Sequence, residues 1–265
     1  MTKSPWNPEQ YHRFYQQRRQ PFLDLRSLVQ PQPQMRILDL GCGTGVLTRQ
    51  LHDHLQAAST LGIDSSETML VQSQNHTDDH VRFELQAIEQ FTGEGPEGYD
   101  LVFSNAALQW IGDHTSLWKH VYSLVAPGGQ LAIQIPANHD HASHRTAALV
   151  AQEEPFASAL GGWFRIFPVL PVDAYALLLE GLGAVDIHVR LQVYIHPMPS
   201  REALVEWVKG SLLTAYERRM PESMFPDYLE AFRDRLFAEI DDTQPYIYPF
   251  KRILMWCRRP EVPTA

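Results

Sequence analysis

The stretch Arg36 to Leu51, RILDLGCGTGVLTRQL, sets three glycines within five residues between an apolar run and a helical pattern. A run that passes Asp39 and then Gly41, Gly43 and Gly45 before a helix starting at Val46 reads as strand, tight turn and helix. Such a turn brings free backbone N–H groups to the carboxyl edge of a parallel sheet, where open α/β folds bind ligands. A turn that uses glycine only to reach positive φ is the plainer alternative. Asp64 favours the ligand reading, because an acid closing the next run, Leu61-Gly62-Ile63-Asp64, suits the two hydroxyls of a ribose. The dinucleotide fingerprint requires glycine at 46 and finds Val46, so pyrophosphate binding loses ground.

Outward from this stretch, apolar runs alternate with helical patterns, the mark of a parallel sheet with crossover helices. Strands are expected at Arg36 to Leu40, Thr60 to Ile63, Val81 to Leu85, Tyr99 to Ser104 and Gln130 to Ile135. Helices are expected from Val46 to about Leu55, Ser66 to about Gln74 and Asp113 to about Leu124. Ser65 or Ser66 can cap the second helix, and Ala126-Pro127-Gly128-Gly129 stops the third. Pro31 and Pro33 mark a joint after an N-terminal helical segment. Past the fifth strand the rhythm changes. Pro136 to Pro171 reads as an irregular excursion holding one helix, followed by a helix from Val172 to Leu182 and a strand from Val185 to Ile195. Ser200 to Asp242 reads as two or more amphipathic helices, and Tyr246 to Arg258 as a final strand. Extra segments on a shared scaffold are where substrate sites tend to be built.

Composition narrows the function. With 265 residues and 44% hydrophobic content, the chain can bury a substantial core. A formal charge of −9 argues against general nucleic-acid binding, so an anionic ligand must meet a local positive pocket. No run of about 18 apolar residues suggests a membrane span, and MTKSPWNPEQ lacks a signal-peptide core, so a cytoplasmic protein is expected. Cys42 and Cys257 are too far apart in sequence for a zinc motif or a disulfide framework. Two reduced thiols are expected. His139, His141 and His144 lie close together, but no acid or cysteine stands at ligand spacing, and no metal is expected.

The pattern D-x-G-x-G-x-G, filled by Asp39, Gly41, Gly43 and Gly45, resembles class I S-adenosylmethionine-dependent methyltransferases. Leu124-Val125-Ala126-Pro127-Gly128-Gly129 matches that family's L-x-P-G-G run into its fifth strand. The resemblance implies an α/β, Rossmann-like sheet, mostly parallel with an antiparallel last strand, carrying helical lid insertions at about 136–171 and 200–242. It implies S-adenosyl-L-methionine as cofactor, Asp64 on the adenosine ribose, Ala87 and Ile88 beside the adenine, and Asn105 by the methionine part. Further segments are similar to the trans-aconitate 2-methyltransferases within that class. They are Trp6-Asn7-Pro8 with Tyr11, Phe14, Arg18 and Pro21; Asn105 to Trp110; Asn138, Asp140, Ser143 and His144; and Val205 to Gly210. The likeness implies that an arm over residues 1–30 brings Tyr11 and Arg18 to the cofactor carboxylate. Departures occur where that group often reads T-G-L-R-P and P-F-P-R: Thr214 replaces a cation and Lys251 a proline, while Gln20 stands where a second arginine is common.

The implied chemistry is esterification of a carboxylate on a small polycarboxylic acid, trans-aconitate or a close analogue. A carboxylate is ionised at pH 7, so no general base is required and rate comes mainly from alignment. The remaining carboxylates need cationic partners, for which His144, Arg145, Arg165, Lys209 and Arg252 are candidates. Alternation along a strand allows only one of Lys251 and Arg252 to face the pocket, and arginine has the better geometry. Trp110, just beyond the fourth strand, can offer its face to a sulfonium. The plain readings are a surface lysine for Lys209, core for Trp110 and a small packing residue for Cys42. Rival functions are a nicotinamide-dependent oxidoreductase, a carboxyl methyltransferase for a malonyl group on a carrier protein, and a non-catalytic S-adenosylmethionine-binding protein.

Overall fold

The computed structural model describes residues 15–93, 95 and 97–261, with the side chains of 15–18 outside that description. Seven strands form one sheet in the order β3-β2-β1-β4-β5-β7-β6. They are β1 Arg36–Leu40, β2 Ser59–Asp64, β3 Val81–Leu85, β4 Tyr99–Asn105, β5 Val125–Pro136, β6 Val185–Met198 and β7 Tyr246–Arg258. Neighbours from β3 to β5 run parallel, and β7 runs antiparallel to β5. Strand order reverses between β2 and β4 around β1, so the carboxyl end of β1 is the switch point where such sheets bind ligands. The expected strands are all present; β2 gains Ser59 and Asp64, β4 gains Asn105, and β5 and β6 are extended further. Pairing with β4 carries β5 back to Val125 through a register shift between Tyr99 and Leu101, and β6 continues to Met198.

The chain divides into two compact units. The sheet unit holds 16–136, 168–192 and 252–261 of the described residues. Helix α1, Tyr15–Arg26, packs Phe22 and Leu25 into a core with Ile37, Leu51, Leu101, Phe103, Ala132, Leu254 and Trp256. This part of the expected arm over 1–30 is therefore a wall of the sheet's own core; Phe22 meets Phe103 edge to face at 5.7 Å. Residues two apart on a strand share a face. On the α1 face the rows run Leu101, Phe103, Asn105 on β4; Gln130, Ala132, Gln134 on β5; and Trp256, Leu254, Arg252 on β7. Each row thus ends on a polar side chain at the carboxyl edge, and the β5 row also begins on one, Gln130.

Helix α2, Val46–Leu55, starts directly after the glycine turn, and α3, Glu67–Ser73, is capped by Ser66, whose hydroxyl accepts from the Met69 N–H. Asp113 caps α4, His114–Ser123, and α7, Val172–Gly181, precedes β6. In the helical unit, 137–167 and 193–251, the excursion expected to hold one helix contains α5, Ala142–Ala151, and a short α6, Phe156–Ala159. The later insertion forms α8, Arg201–Val208, a π-helical stretch Lys209–Leu213, α9, Thr214–Glu217, and α10, Phe225–Glu239. Its core is aromatic, with Tyr216, Tyr228, Phe232 and Tyr248 fully buried. No helix among the described residues is long and apolar enough to cross a membrane.

Candidate active site

The glycine turn is built from the inside. Gly41 and Cys42 donate their N–H groups to the Ile63 carbonyl at 2.8 and 3.1 Å, and Gly45 donates to the Cys42 carbonyl at 3.1 Å. Gly43 donates to Asp64 Oδ2 at 2.9 Å. The sequence suggested free N–H groups along this turn; four of its donors, those of Gly41, Cys42, Gly43 and Gly45, are instead spent within the protein. Gly41, at φ +78, has no room for a side chain, since an added Cβ would lie 2.2 Å from Ala107 Cβ. Gly45, at φ +76, would bring one within 2.7 Å of the Phe83 ring. What lies where a side chain would sit at these two glycines is the protein's own packing.

The acids at the strand ends differ. Asp64 Oδ1 accepts from the Ser66 N–H at 2.8 Å while Oδ2 takes Gly43, so the carboxylate ties loop to helix and keeps spare lone pairs. Asp39 is buried, accepts from the Thr48 hydroxyl at 2.6 Å, and is pushed up to about 7, chiefly by desolvation and further by the Asp64 charge. Cys42 is a buried packing residue whose thiol burial pushes up, and Cys257 is also free and buried.

Beyond β4 the backbone is strained. Ala106 holds φ +58, an uncommon value for a residue with a side chain. Its N–H donates to the Gln134 carbonyl at 2.8 Å, and its carbonyl accepts from Gln109 Nε2 at 2.6 Å. Asn105 Oδ1 and Gln109 Oε1 are buried with no hydrogen-bond partner among the described residues. Ala87 is half-buried and Ile88 buried at the start of a short turn after β3. Trp110 is 60% exposed and is not core. Tyr11 lies outside the described residues; Arg18 lies on α1 with its side chain outside the description.

Of the proposed substrate partners, Arg252 belongs to the sheet unit. It is 6% exposed, and its Nη1 donates to Gln134 Oε1 at 3.2 Å. Lys251, its neighbour, points the other way and pairs with Asp140. In the helical unit, Arg165 stacks 4.9 Å over Phe167, and burial lowers its pKa. Arg145 pairs with Glu239. His144 packs edge-on against Phe167 at 5.2 Å and is pushed down to about 3, first by burial and then by the nearby His141 and Arg165. At neutral pH it is an uncharged donor, which corrects its expected role as a cation. Lys209 pairs with Glu206 at 3.3 Å, so its charge is already answered. Among the described residues no group of three His, Cys, Asp or Glu could hold a metal. A groove of about 420 Å³ lined by Lys119, Tyr122, Arg259 and Glu261 lies at the opposite, amino edge and takes no part in this constellation.

The sequence reading missed Gln134. Its only local signal is a polar residue inside the buried run Leu131 to Ile135, and Gln130 gives the same signal just before it. Partners, not sequence, tell the two apart.

A methyltransferase-domain family model matches residues 38–131. The trans-aconitate 2-methyltransferase of Deinococcus radiodurans is 42% identical over 263 residues, covering 97% of this chain and 99% of that protein. This chain belongs to the trans-aconitate 2-methyltransferase family. A family member from Variovorax paradoxus is 35% identical over 254 residues, covering 96% of this chain and 95% of its own. Membership makes the chain an S-adenosylmethionine-dependent methyltransferase, and the residues outside the matched domain model are shared with these relatives as well. Among solved structures, the YcgJ protein of Bacillus subtilis superposes with a TM-score of 0.61 at 13% identity, over 92% of this chain and all of that one. A Haemonchus contortus phosphoethanolamine N-methyltransferase 2, solved with S-adenosylhomocysteine, gives 0.56 at 19% identity, over 92% of this chain and 53% of its own. Both likenesses establish the class I methyltransferase fold.

Proposed function

We propose that this chain transfers the methyl group of S-adenosylmethionine to a carboxylate of trans-aconitate or a closely similar polycarboxylate. The observation that carries this reading is the 42% identity to a relative named for that acid, extending across both insertions and the sheet.

The residues at the carboxyl edge fit the cofactor. Asn105 Oδ1, a buried acceptor without a partner, suits an ammonium group such as that of the methionine part. Two acids, Asp39 and Asp64, lie close enough for one to raise the pKa of the other, a setting that favours a cationic ligand. Asp64 holds the ribose hydroxyls on its spare lone pairs, Ala87 and Ile88 flank the adenine, and Trp110 offers its face to the sulfonium. When bound, S-adenosylmethionine supplies an electrophilic methyl group on sulfur. The protein's contribution is to position and dehydrate, because an ionised carboxylate needs no proton removed before it attacks. Arg252 holds a nonreacting carboxylate from the sheet unit, and Arg165 is the helical unit's candidate for the same task. Segments 136–171 and 200–242 act as lids that tighten when both ligands are bound.

The test is methyl transfer from labelled S-adenosylmethionine to a panel of mono-, di- and tricarboxylates. The highest kcat/KM is expected with trans-aconitate, and no transfer to any polycarboxylate would overturn the reading. Hydrogen exchange with S-adenosylhomocysteine plus trans-aconitate should show added protection in 136–171 and 200–242; protection limited to 41–45 would remove the lid role.

A further inference from the structure

Strand β5 carries two glutamines on one face, Gln130 and Gln134, both fully buried. They lie about 13 Å apart along the strand. Gln130, at the amino edge, is satisfied. Its Oε1 accepts from the Gln30 N–H at 2.8 Å and from Trp256 Nε1 at 3.0 Å, and its Nε2 donates to the Gln30 carbonyl at 2.7 Å. Gln134, at the carboxyl edge, has Oε1 on Arg252 and an Nε2 with no partner among the described residues.

The direction of that amide is fixed by chemistry. A guanidinium has only donors, so the oxygen must face Arg252 and the NH₂ must face away from it. Asn105 sits beside Gln134 in the β4–β5 register, on the same face, with an unmet acceptor. Among the described residues, an unmet donor and an unmet acceptor stand on neighbouring strands and do not bond to each other. A buried donor left unmet is costly, and a methionine or leucine would fill the space without that cost. Unmet buried atoms occur elsewhere too, at Trp118 and Tyr122 for example, but among the described residues Asn105, Gln109 and Gln134 bring three of them together at one sheet edge, and such a gathering marks a site.

Building on the reading that a polycarboxylate is the acceptor, we propose that Gln134 is a specificity-determining residue: its Nε2, with the Arg252 guanidinium, holds a nonreacting carboxylate of the substrate. Gln134 then has two tasks through one amide. Its oxygen orients Arg252, and its nitrogen adds a donor aimed at the anion. The fork of Arg252 supplies charge, and the amide supplies direction.

The test compares wild type with Gln134→Met and Gln134→Glu. Steady-state kinetics use trans-aconitate and the monocarboxylate crotonate; calorimetry measures S-adenosylhomocysteine binding, and thermal unfolding checks each fold. For Gln134→Met, KM for trans-aconitate should rise about 10- to 100-fold, the range expected for losing one hydrogen bond to a charged group. Crotonate turnover and S-adenosylhomocysteine affinity should stay level. Gln134→Glu should do worse than Met on trans-aconitate, since its carboxylate takes Arg252 for itself and repels the anion. Unchanged KM for trans-aconitate in a folded Gln134→Met, or an equal loss for both acids, would overturn the role of Gln134 while leaving the methyltransferase reading intact. Failure of wild type to methylate any polycarboxylate would instead overturn the reading on which it rests. If Gln134→Met does not fold, the same comparison falls to Gln134→Asn, which keeps the amide but shortens its reach and should raise KM for trans-aconitate alone.

Discussion

The two edges of the sheet unit obey different rules. At the amino edge, several polar groups are paired inside the protein: Gln130 closes three hydrogen bonds, Asp100 accepts from the Arg36 N–H at 2.7 Å, and Arg259 donates to the Val125 carbonyl at 2.6 Å, although the buried Tyr122 hydroxyl beside them has no partner among the described residues. At the carboxyl edge, Asn105, Gln109 and Gln134 each keep a buried atom without a partner among the described residues, Asp39 is driven toward neutrality, and Ala106 is strained. The same strands supply both edges, so the contrast lies in what each edge does. Paired groups stabilise the fold, whereas unmet buried groups and backbone strain carry a cost, which fits the ligand role proposed for the carboxyl edge.

If that contrast is real, substitutions at the two edges should shift stability in opposite directions. The largest effect is expected at Asp39. Its folded pKa, about 7, lies above the ordinary 3.8, so between those values the folded state holds more protons than the unfolded state and stability falls as pH rises. Asp39→Asn removes that slope. Relative to wild type it should gain stability from pH 4 to pH 8, by up to roughly 4 kcal/mol for a shift of this size. Denaturant melts of both proteins across this range check it, and parallel pH profiles would break the contrast at its strongest point. Gln130→Leu should do the reverse, costing about 2 to 4 kcal/mol by leaving the buried Trp256 Nε1 without its acceptor. Its cofactor affinity should not change. A stable Gln130→Leu would show that the paired edge is no more structural than the open one.

Asp64→Ala sharpens the comparison, because Asp64 belongs to the ligand edge and yet is bonded at both oxygens to loop and helix N–H groups. Loss of its bond to the ribose should cost about 1 to 3 kcal/mol, or roughly 5- to 150-fold in S-adenosylmethionine affinity. Calorimetry on the folded variant measures it. A loss seen only in melting temperature would assign Asp64 to the turn and take it off the ribose.

Much is legible in the sequence because it is local. Strand Arg36 to Leu40, its glycine turn and the helix from Val46 follow from residues adjacent in the chain, and positive φ at Gly41 and Gly45 follows from the turn itself. The alternation of apolar runs with helical patterns settled the fold class for the same reason: hydrophobic periodicity is a short-range signal. That Lys251 and Arg252 part company was also legible, since strand alternation sends neighbours to opposite faces: Arg252 is buried and Lys251 reaches Asp140.

The tertiary structure decided whatever depends on partners distant in sequence. His144 looked like a cation, but burial and neighbouring positive groups leave it neutral, and desolvation cannot be read from a loop composition. The need for glycine also depends on distant neighbours: where a Cβ would sit, Gly41 meets Ala107, just past β4, and Gly45 meets Phe83 in the middle of β3. The two glutamines of β5 are alike in sequence, residue type and burial. What separates them is that Gln30 and Trp256 reach one of them while, among the described residues, Arg252 alone bonds the side chain of the other. The sequence by itself determined the order of strands and helices and the family of the chain, through local patterns and direct likeness. Only the folded chain decided which polar groups are satisfied, because a hydrogen bond requires its partner within about 3 Å, and for these groups that partner comes from a distant part of the chain.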